Sequence, residues 1–327
     1  MHGDSIDFFV FSVSLWFESL DRDMLKVIID FDGTLTAEET QVAALAEKSL
    51  DTLANEIVHA PRPQLARQKL ANDYQATRAR LLASPQDYGW VVNGLLASYC
   101  DEGAFILNTT TVQVMLRENH GYAQAVDDFF ANAEYDPVAD CINYLFHRHT
   151  AELPPAFRPA ARDVLAALVA DPNRQPVVLT NSLGDKVERL LTMLDLPGPV
   201  AVLGDTRQYD MDPGWAFHFQ HPELGAIQVW PVAEGRQVDL RRPIYYHALL
   251  DAAKDGSRLA VVADTLSLPG ALPLLMGIPF FLLRTAYTPA WCAATTAAHP
   301  LGCVLDDLAE LPAALDMVDR WGGEELT

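Results

Sequence analysis

The spacing of apolar positions changes character twice along the chain. Leu25, Val27, Ile28 and Ile29 form a short apolar run that predicts a buried strand. Asp30 and Asp32 stand where that strand must end, and Gly33 lets the chain turn sharply. Between residues 37 and 150 no strand alternation is apparent. Thr36 and Glu39 have the spacing of a capping box, which predicts a helix running to Val58. Further helices are predicted at 64–82, 122–131 and 137–150. Residues 85–120 mix aromatics with turn formers and define no element. Within them, 101–111 reads either as a substrate-facing loop or as a plain connection. From Arg158 onward helix and strand alternate. Helices at 158–170, 184–195, 243–254 and 268–276 lead to strands at 176–180, 200–203, 259–263 and 279–283, and a last helix covers 306–319. Residues 206–241 interrupt this rhythm and read as a small antiparallel β-rich insert.

Alternating helices and short apolar strands predict a parallel sheet covered on both faces. Ligands of such sheets bind beyond the carboxyl ends of the strands. Asp30, Thr180 and Asp264 each end a strand in this reading, so they should share one edge. A lone Asp-x-Asp is more simply a strand followed by an Asx-type turn. Two carboxylates one residue apart at a strand end can also share a Mg²⁺ ion, one supplying a nucleophilic oxygen while the other handles protons.

The stretch Val27-Ile28-Ile29-Asp30-Phe31-Asp32-Gly33-Thr34-Leu35-Thr36 resembles motif I of the haloacid dehalogenase-like (HAD) hydrolases. Pro176 to Ser182 is similar to motif II, with Thr180 as its hydroxyl. Arg242-Pro243 is similar to motif III, and Leu259 to Thr265 to motif IV, with Asp264 as its acid. The chain departs from the family at two places. Leu268 and Pro269 stand where a second motif IV acid is usual, and Ala263 stands where Gly is usual. The resemblance implies a doubly wound HAD-like α/β core over 24–36 and 156–327, with a mainly helical cap at 37–155. It implies Asp30 as nucleophile, Asp32 as acid and base, and Thr180, Asn181 and Arg242 as phosphate-binding groups. It also implies a Mg²⁺ site made by Asp30, Asp32 through its carbonyl, and Asp264. Arg241 competes with Arg242 for the cationic role, and Lys186 reads as a solvated helix residue.

The formal net charge of −21 argues against nucleic acid or an anionic membrane as partner. A phosphorylated metabolite remains compatible, because a metal and a few local cations can outweigh the global field. Four cysteines without Cys-x-x-Cys spacing argue for reduced thiols in a cytoplasmic protein. The apolar run at 8–17 is too short to span a bilayer as a helix. Residues 1–23 are either an extension ahead of a start at Met24 or an extra packed element.

Two further clusters have bland readings. Asp205, in the 204–212 loop, is taken to lie in a turn that closes a strand. His147, Arg148 and His149 are taken as a cation cluster at a helix end.

The function expected is Mg²⁺-dependent hydrolysis of a small phosphomonoester through a phospho-aspartate on Asp30. Asp32 favours phosphate chemistry over dehalogenation within that resemblance. The alternatives are a phosphomutase, or a metabolite-binding or interaction protein with a weakened metal site.

Overall fold

The computed structural model describes residues 24–58, 63–215, 217–221 and 223–321. The readings made for residues 1–23 and for the run at 8–17 lie outside them. β1 (Leu25–Ile29) starts the chain's course. A 3-10 turn at Glu38–Thr40 leads into α1 (Val42–Thr52), which widens into a π turn at Leu53–Ile57. Then come α2 (Pro63–Ala83), a hairpin of β2 (Gly89–Val92) and β3 (Leu95–Tyr99), α3 (Ala104–Glu118), α4 (His120–Phe129) and α5 (Pro137–Thr150). The second half runs α6 (Ala161–Ala170), β4 (Arg174–Leu179), α7 (Gly184–Leu191) and β5 (Ala201–Leu203). Two small ribbons follow, β6 (Phe219–His221) with β7 (Gly225–Ile227), and β8 (Val229–Ala233) with β9 (Arg236–Asp239). The chain closes with α8 (Pro243–Ala252), β10 (Arg258–Ala263), α9 (Ala271–Leu275), β11 (Phe280–Leu283), α10 (Ala290–Ala298), β12 (Gly302–Leu305) and α11 (Leu311–Trp321).

Six strands make one parallel sheet in the order β12-β11-β10-β1-β4-β5. Successive connections leave β1 first toward β4 and β5, then toward β10 and beyond. β1 therefore flanks the point where the winding reverses, and the crevice at its carboxyl end is the place such a sheet offers a ligand. One hydrophobic layer gathers Val27, Ile29 and Val262 with α6, α7 and α11 on one face. A second gathers Ile28, Val261 and Phe280 with α8, α9 and α10 on the other. Alternate residues of β1 point to opposite layers, as strand geometry demands. This is the doubly wound core with a mainly helical cap that the sequence predicts.

Three local expectations change. Thr36 does not cap a helix. Its hydroxyl donates to the Phe31 carbonyl, and Glu39 pairs with Arg158. The stretch at 101–111 is mostly helix, the first half of α3. The stretch at 85–120, which defines no element in the sequence and lies in a span where no strand alternation is apparent, contains the β2–β3 hairpin. Its turn is Asn93-Gly94, both with positive φ (51° and 78°), the pair favoured by a two-residue hairpin turn. That signal stands in the sequence among aromatics that obscured it.

The hairpin ties the cap to the core. The Tyr99 hydroxyl donates to the Gln237 carbonyl at 3.1 Å and accepts from the Gln237 N–H at 2.7 Å. Arg236 forms a forked pair with Asp101 at 3.0 and 2.9 Å. Its guanidinium sits 4.6 Å from the Tyr99 ring centroid and 4.9 Å from that of Trp291. Removing one partner of such a shielded pair strands the other charge, at a cost of about 3–5 kcal/mol when burial is complete. Arg236→Met should therefore lower the unfolding free energy in urea by about 2–4 kcal/mol, the lower bound allowing for residual exposure of Asp101. A change under about 0.5 kcal/mol, the level of ordinary surface substitutions, would show that this contact does not fasten the hairpin.

Candidate active site

Asp30 follows β1 directly, and its N–H donates to the Val262 carbonyl at 2.9 Å, which holds the main chain in register with β10. Thr180 follows β4 and Asp264 follows β10. Parallel register places Ile29 beside Val178 and Val262, so Asp30 stands within one residue of the level of Thr180 and Asp264 at the sheet's carboxyl edge. They line one cavity together with Asp32, Asn181 and Glu38. The cavity has an empty volume of about 740 Å³, including its open mouth.

The loop after β1 is pressed against Asp264. Gly33 has φ +82°, and a Cβ there would fall 2.2 Å from Asp264 Oδ2. Both the backbone conformation and the space require glycine. The Gly33 carbonyl accepts from Arg158 Nε at 3.0 Å and from Nη2 at 2.6 Å. Thr34 donates to Asp264 Oδ1 at 3.5 Å, a long bond.

The charges of this edge are poorly matched. Burial pushes the Asp30 carboxyl well up, and the Asp32 charge adds to the shift. Burial also raises Asp264, with Asp30 adding repulsion and Arg158 opposing it. Glu38 is raised by burial and then by Asp264. Its Oε1 nevertheless accepts the N–H groups of Ala104 and, at 3.2 Å, Phe105, which open α3. A buried cluster of this kind fits a divalent cation, which would relieve both burial and repulsion. Among the described residues no group of three His, Cys, Asp or Glu side chains is arranged to hold a metal ion. Magnesium needs only one or two carboxylates with carbonyl and water oxygens, so Asp30, Asp264 and the Asp32 carbonyl form a donor set of the right chemistry.

Asp32 has a different surrounding. The Ser182 hydroxyl donates to its Oδ2 at 2.6 Å. Lys186 Nζ lies 3.7 Å from its Oδ1 and donates to Ser182 Oγ at 3.0 Å and to Thr150 Oγ1 at 3.1 Å. Lys186 is 6 % exposed, so it is not the solvated helix residue expected from the sequence. The usable signal was its position in the first turn of α7, four residues after Ser182, within reach of the loop that follows β4. Glu38 was also missed, since nothing in the spacing sets it apart from Glu39.

Thr180 Oγ1 accepts from the Ser182 N–H at 3.1 Å, which leaves its own proton to donate. Asn181 Oδ1 accepts from the Gln208 N–H at 2.8 Å, tying the loop after β5 to the site. Asp205, in that loop, does not line the cavity, whereas Tyr209 does.

Arg242 lies away from the cavity. It is 2 % exposed, and its guanidinium donates to the carbonyls of Asp239, Gln208 and Ala97 at 3.0, 2.7 and 2.8 Å. All three nitrogens are thus engaged in bracing the cap hairpin and the ribbon against the core. Arg241 forks onto Asp239 and donates to the Pro213 carbonyl. The His147–His149 run is no cation cluster. Burial lowers both histidines toward the neutral form, and Arg148 is forked onto Glu56.

The position expected to carry a second motif IV acid has a different solution. Glu102, from the cap, accepts from the N–H groups of Leu266 and Ser267 at 3.0 and 2.8 Å and from the Ser267 hydroxyl. A cap carboxylate therefore fixes the segment that follows Asp264.

No family model matches the chain, and no curated protein matches it. Solved structures do. A haloacid dehalogenase-like family hydrolase from Xanthomonas campestris is 15% identical, with 93% of this chain and 100% of that one covered at a TM-score of 0.44. A haloacid dehalogenase-like protein of unknown function from Agrobacterium tumefaciens is 14% identical, with 91% and 100% covered at 0.45. A haloacid dehalogenase-like hydrolase from Streptococcus pneumoniae is 11% identical, with 90% and 99% covered at 0.45. The likeness is loose, and the fold stands on its own strand order and register. A reversing parallel sheet, with a helical cap inserted straight after the Asp-x-Asp loop, makes this a doubly wound α/β core with a mainly helical cap.

The raised carboxyls set the pH behaviour. For Asp30 and Asp264 the folded state holds protons that the unfolded chain has released, so without metal stability falls as pH rises through that window. A Mg²⁺ ion held by these carboxylates would bind their ionised form and offset the loss. Thermal unfolding should therefore show a Mg²⁺-induced rise in Tm that is large at pH 8 and small at pH 5. An equal rise at both pH values would mean that the ion binds elsewhere.

Proposed function

We propose that the protein hydrolyses small phosphomonoesters in a Mg²⁺-dependent reaction with Asp30 as nucleophile. The observation that carries this reading is the convergence of Asp30, Asp32, Thr180 and Asp264 on one cavity at the sheet's carboxyl edge. In this reading Asp30, Asp264 and the Asp32 carbonyl hold the ion, which supplies positive charge to the phosphoryl oxygens. Asp30 attacks phosphorus in line with the leaving oxygen, forming a phospho-aspartate. Asp32 gives a proton to the leaving oxygen and then takes one from the attacking water. The Ser182 hydroxyl aims the Asp32 carboxylate, and the Lys186 ammonium stands 3.7 Å from its other oxygen. Thr180 donates its free hydroxyl proton to a phosphoryl oxygen, with Asn181 beside it. Lys186, rather than Arg242, is the side-chain cation that serves this chemistry.

The test is phosphate release from a chromogenic phosphate ester with and without Mg²⁺. Asp30→Asn should abolish turnover while leaving the fold intact, since about 8 kcal/mol or more of barrier lowering is available to lose. Wild-type rates in this variant would eliminate Asp30 as nucleophile.

The two basic residues give a sharper contrast. Lys186→Met should lower kcat by about 10–100-fold, the range for disturbing one acid–base partner, and shift the pH–rate profile. Arg242→Met should leave three carbonyls without donors, costing about 2–4 kcal/mol of stability, while kcat per folded molecule changes little. The opposite pattern would restore Arg242 to the phosphate.

A further inference from the structure

The cavity has two unlike halves. Its floor carries the carboxylates and Thr180. Its roof comes from the cap and the Tyr209 loop, and is made of Trp90, Phe105, Ile106, Ile142, Phe146 and Tyr209. Phe105 and Phe146 meet edge to face at 5.6 Å, and Trp90 lies 4.8 Å from Tyr209. Among the described residues no Lys or Arg lines the cavity. Lys186 is turned to Asp32, Ser182 and Thr150, so its charge is already spent.

Two polar atoms belonging to lining residues lack partners. Trp90 is 9 % exposed, and its indole Nε1–H is buried with no acceptor. His147 Nδ1 is likewise buried and unpaired. Thr109 and Asn143 add neutral polar groups to the lining.

We propose that the substrate is the phosphate monoester of a neutral, largely apolar alcohol, aromatic or branched. This rests on the phosphatase reading above. With the nucleophile on the floor, the group that projects toward the cap is the alcohol. A second phosphate or a carboxylate on that alcohol would find no cation in the roof and would face Glu38. A sugar would place many hydroxyls against apolar rings with few groups to satisfy them.

The experiment compares kcat/KM for four alkyl monoesters of similar intrinsic reactivity, namely benzyl phosphate, 3-phenylpropyl phosphate, glycerol phosphate and phosphoglycolate. The two aryl-bearing esters should lead by at least tenfold. A preference for glycerol phosphate or phosphoglycolate, or rates within tenfold across all four esters, would overturn the proposal and leave the phosphatase reading standing. If no ester turns over, that reading fails instead. Calorimetric titration with 3-phenylpropanol and with glycolate then still decides the roof chemistry. Tighter binding of 3-phenylpropanol supports the proposal, and equal or tighter binding of glycolate, or binding of neither, overturns it.

Discussion

The structure depends on holding several carboxylates together where water is scarce. Asp30, Asp32, Glu38 and Asp264 share one cavity, and burial raises the carboxyls of Asp30, Glu38 and Asp264. Left to itself this arrangement opposes folding. The sheet imposes it, because parallel register brings three strand ends to within one residue of one level whatever side chains they carry. The fold then shares out compensation. Helix α3 offers its first N–H groups to Glu38, Arg158 braces the Gly33 turn and lowers the cost at Asp264, and Lys186 faces Asp32. Helix dipole, guanidinium and ammonium each answer a different carboxylate.

Asp30 and Asp264 are left without so direct an answer, and this asymmetry has a functional sense. A carboxylate already satisfied by a salt bridge is a poor nucleophile and a poor metal ligand. Asp32 is hydrogen-bonded to Ser182 and paired with Lys186, which fixes its position. Asp30 and Asp264 keep an unmet demand for positive charge that a cation can fill. Environment thus sorts four chemically similar residues into different surroundings.

The sheet and its edge were legible in the sequence because they rest on short-range patterns. The apolar runs at 25–29, 176–179 and 259–263 are strands buried on both sides, and each is followed by its polar residue. What stayed hidden depends on tertiary contact. Arg242 opens a helix as expected, yet three carbonyls from the cap hairpin, the loop before the ribbons and β9 occupy it. No local pattern can announce such partners. Lys186 looked like surface because an amphipathic helix usually turns its lysines outward, and only the packing of α5 over α7 encloses it. The last strand, β12, was overlooked because Gly302 to Leu305 is brief and lies on the sheet's edge.

The cap closes the argument about the departure at Leu268. An acid is missing there, but the segment after Asp264 is not loose, because Glu102 reaches in from the cap and takes its N–H groups. The carboxylate has in effect moved from the loop itself to the element that covers it. Leu268, freed from that duty, packs with Trp90 and Tyr209 and joins the lining of the cavity. One change therefore has two linked consequences. The loop beside Asp264 depends on the cap for its shape, and the roof above it is more apolar. Glu102, Tyr99 and the Arg236–Asp101 pair fasten the cap to the core, and the wall it presents to the cavity is built of the rings of Trp90, Phe105 and Phe146.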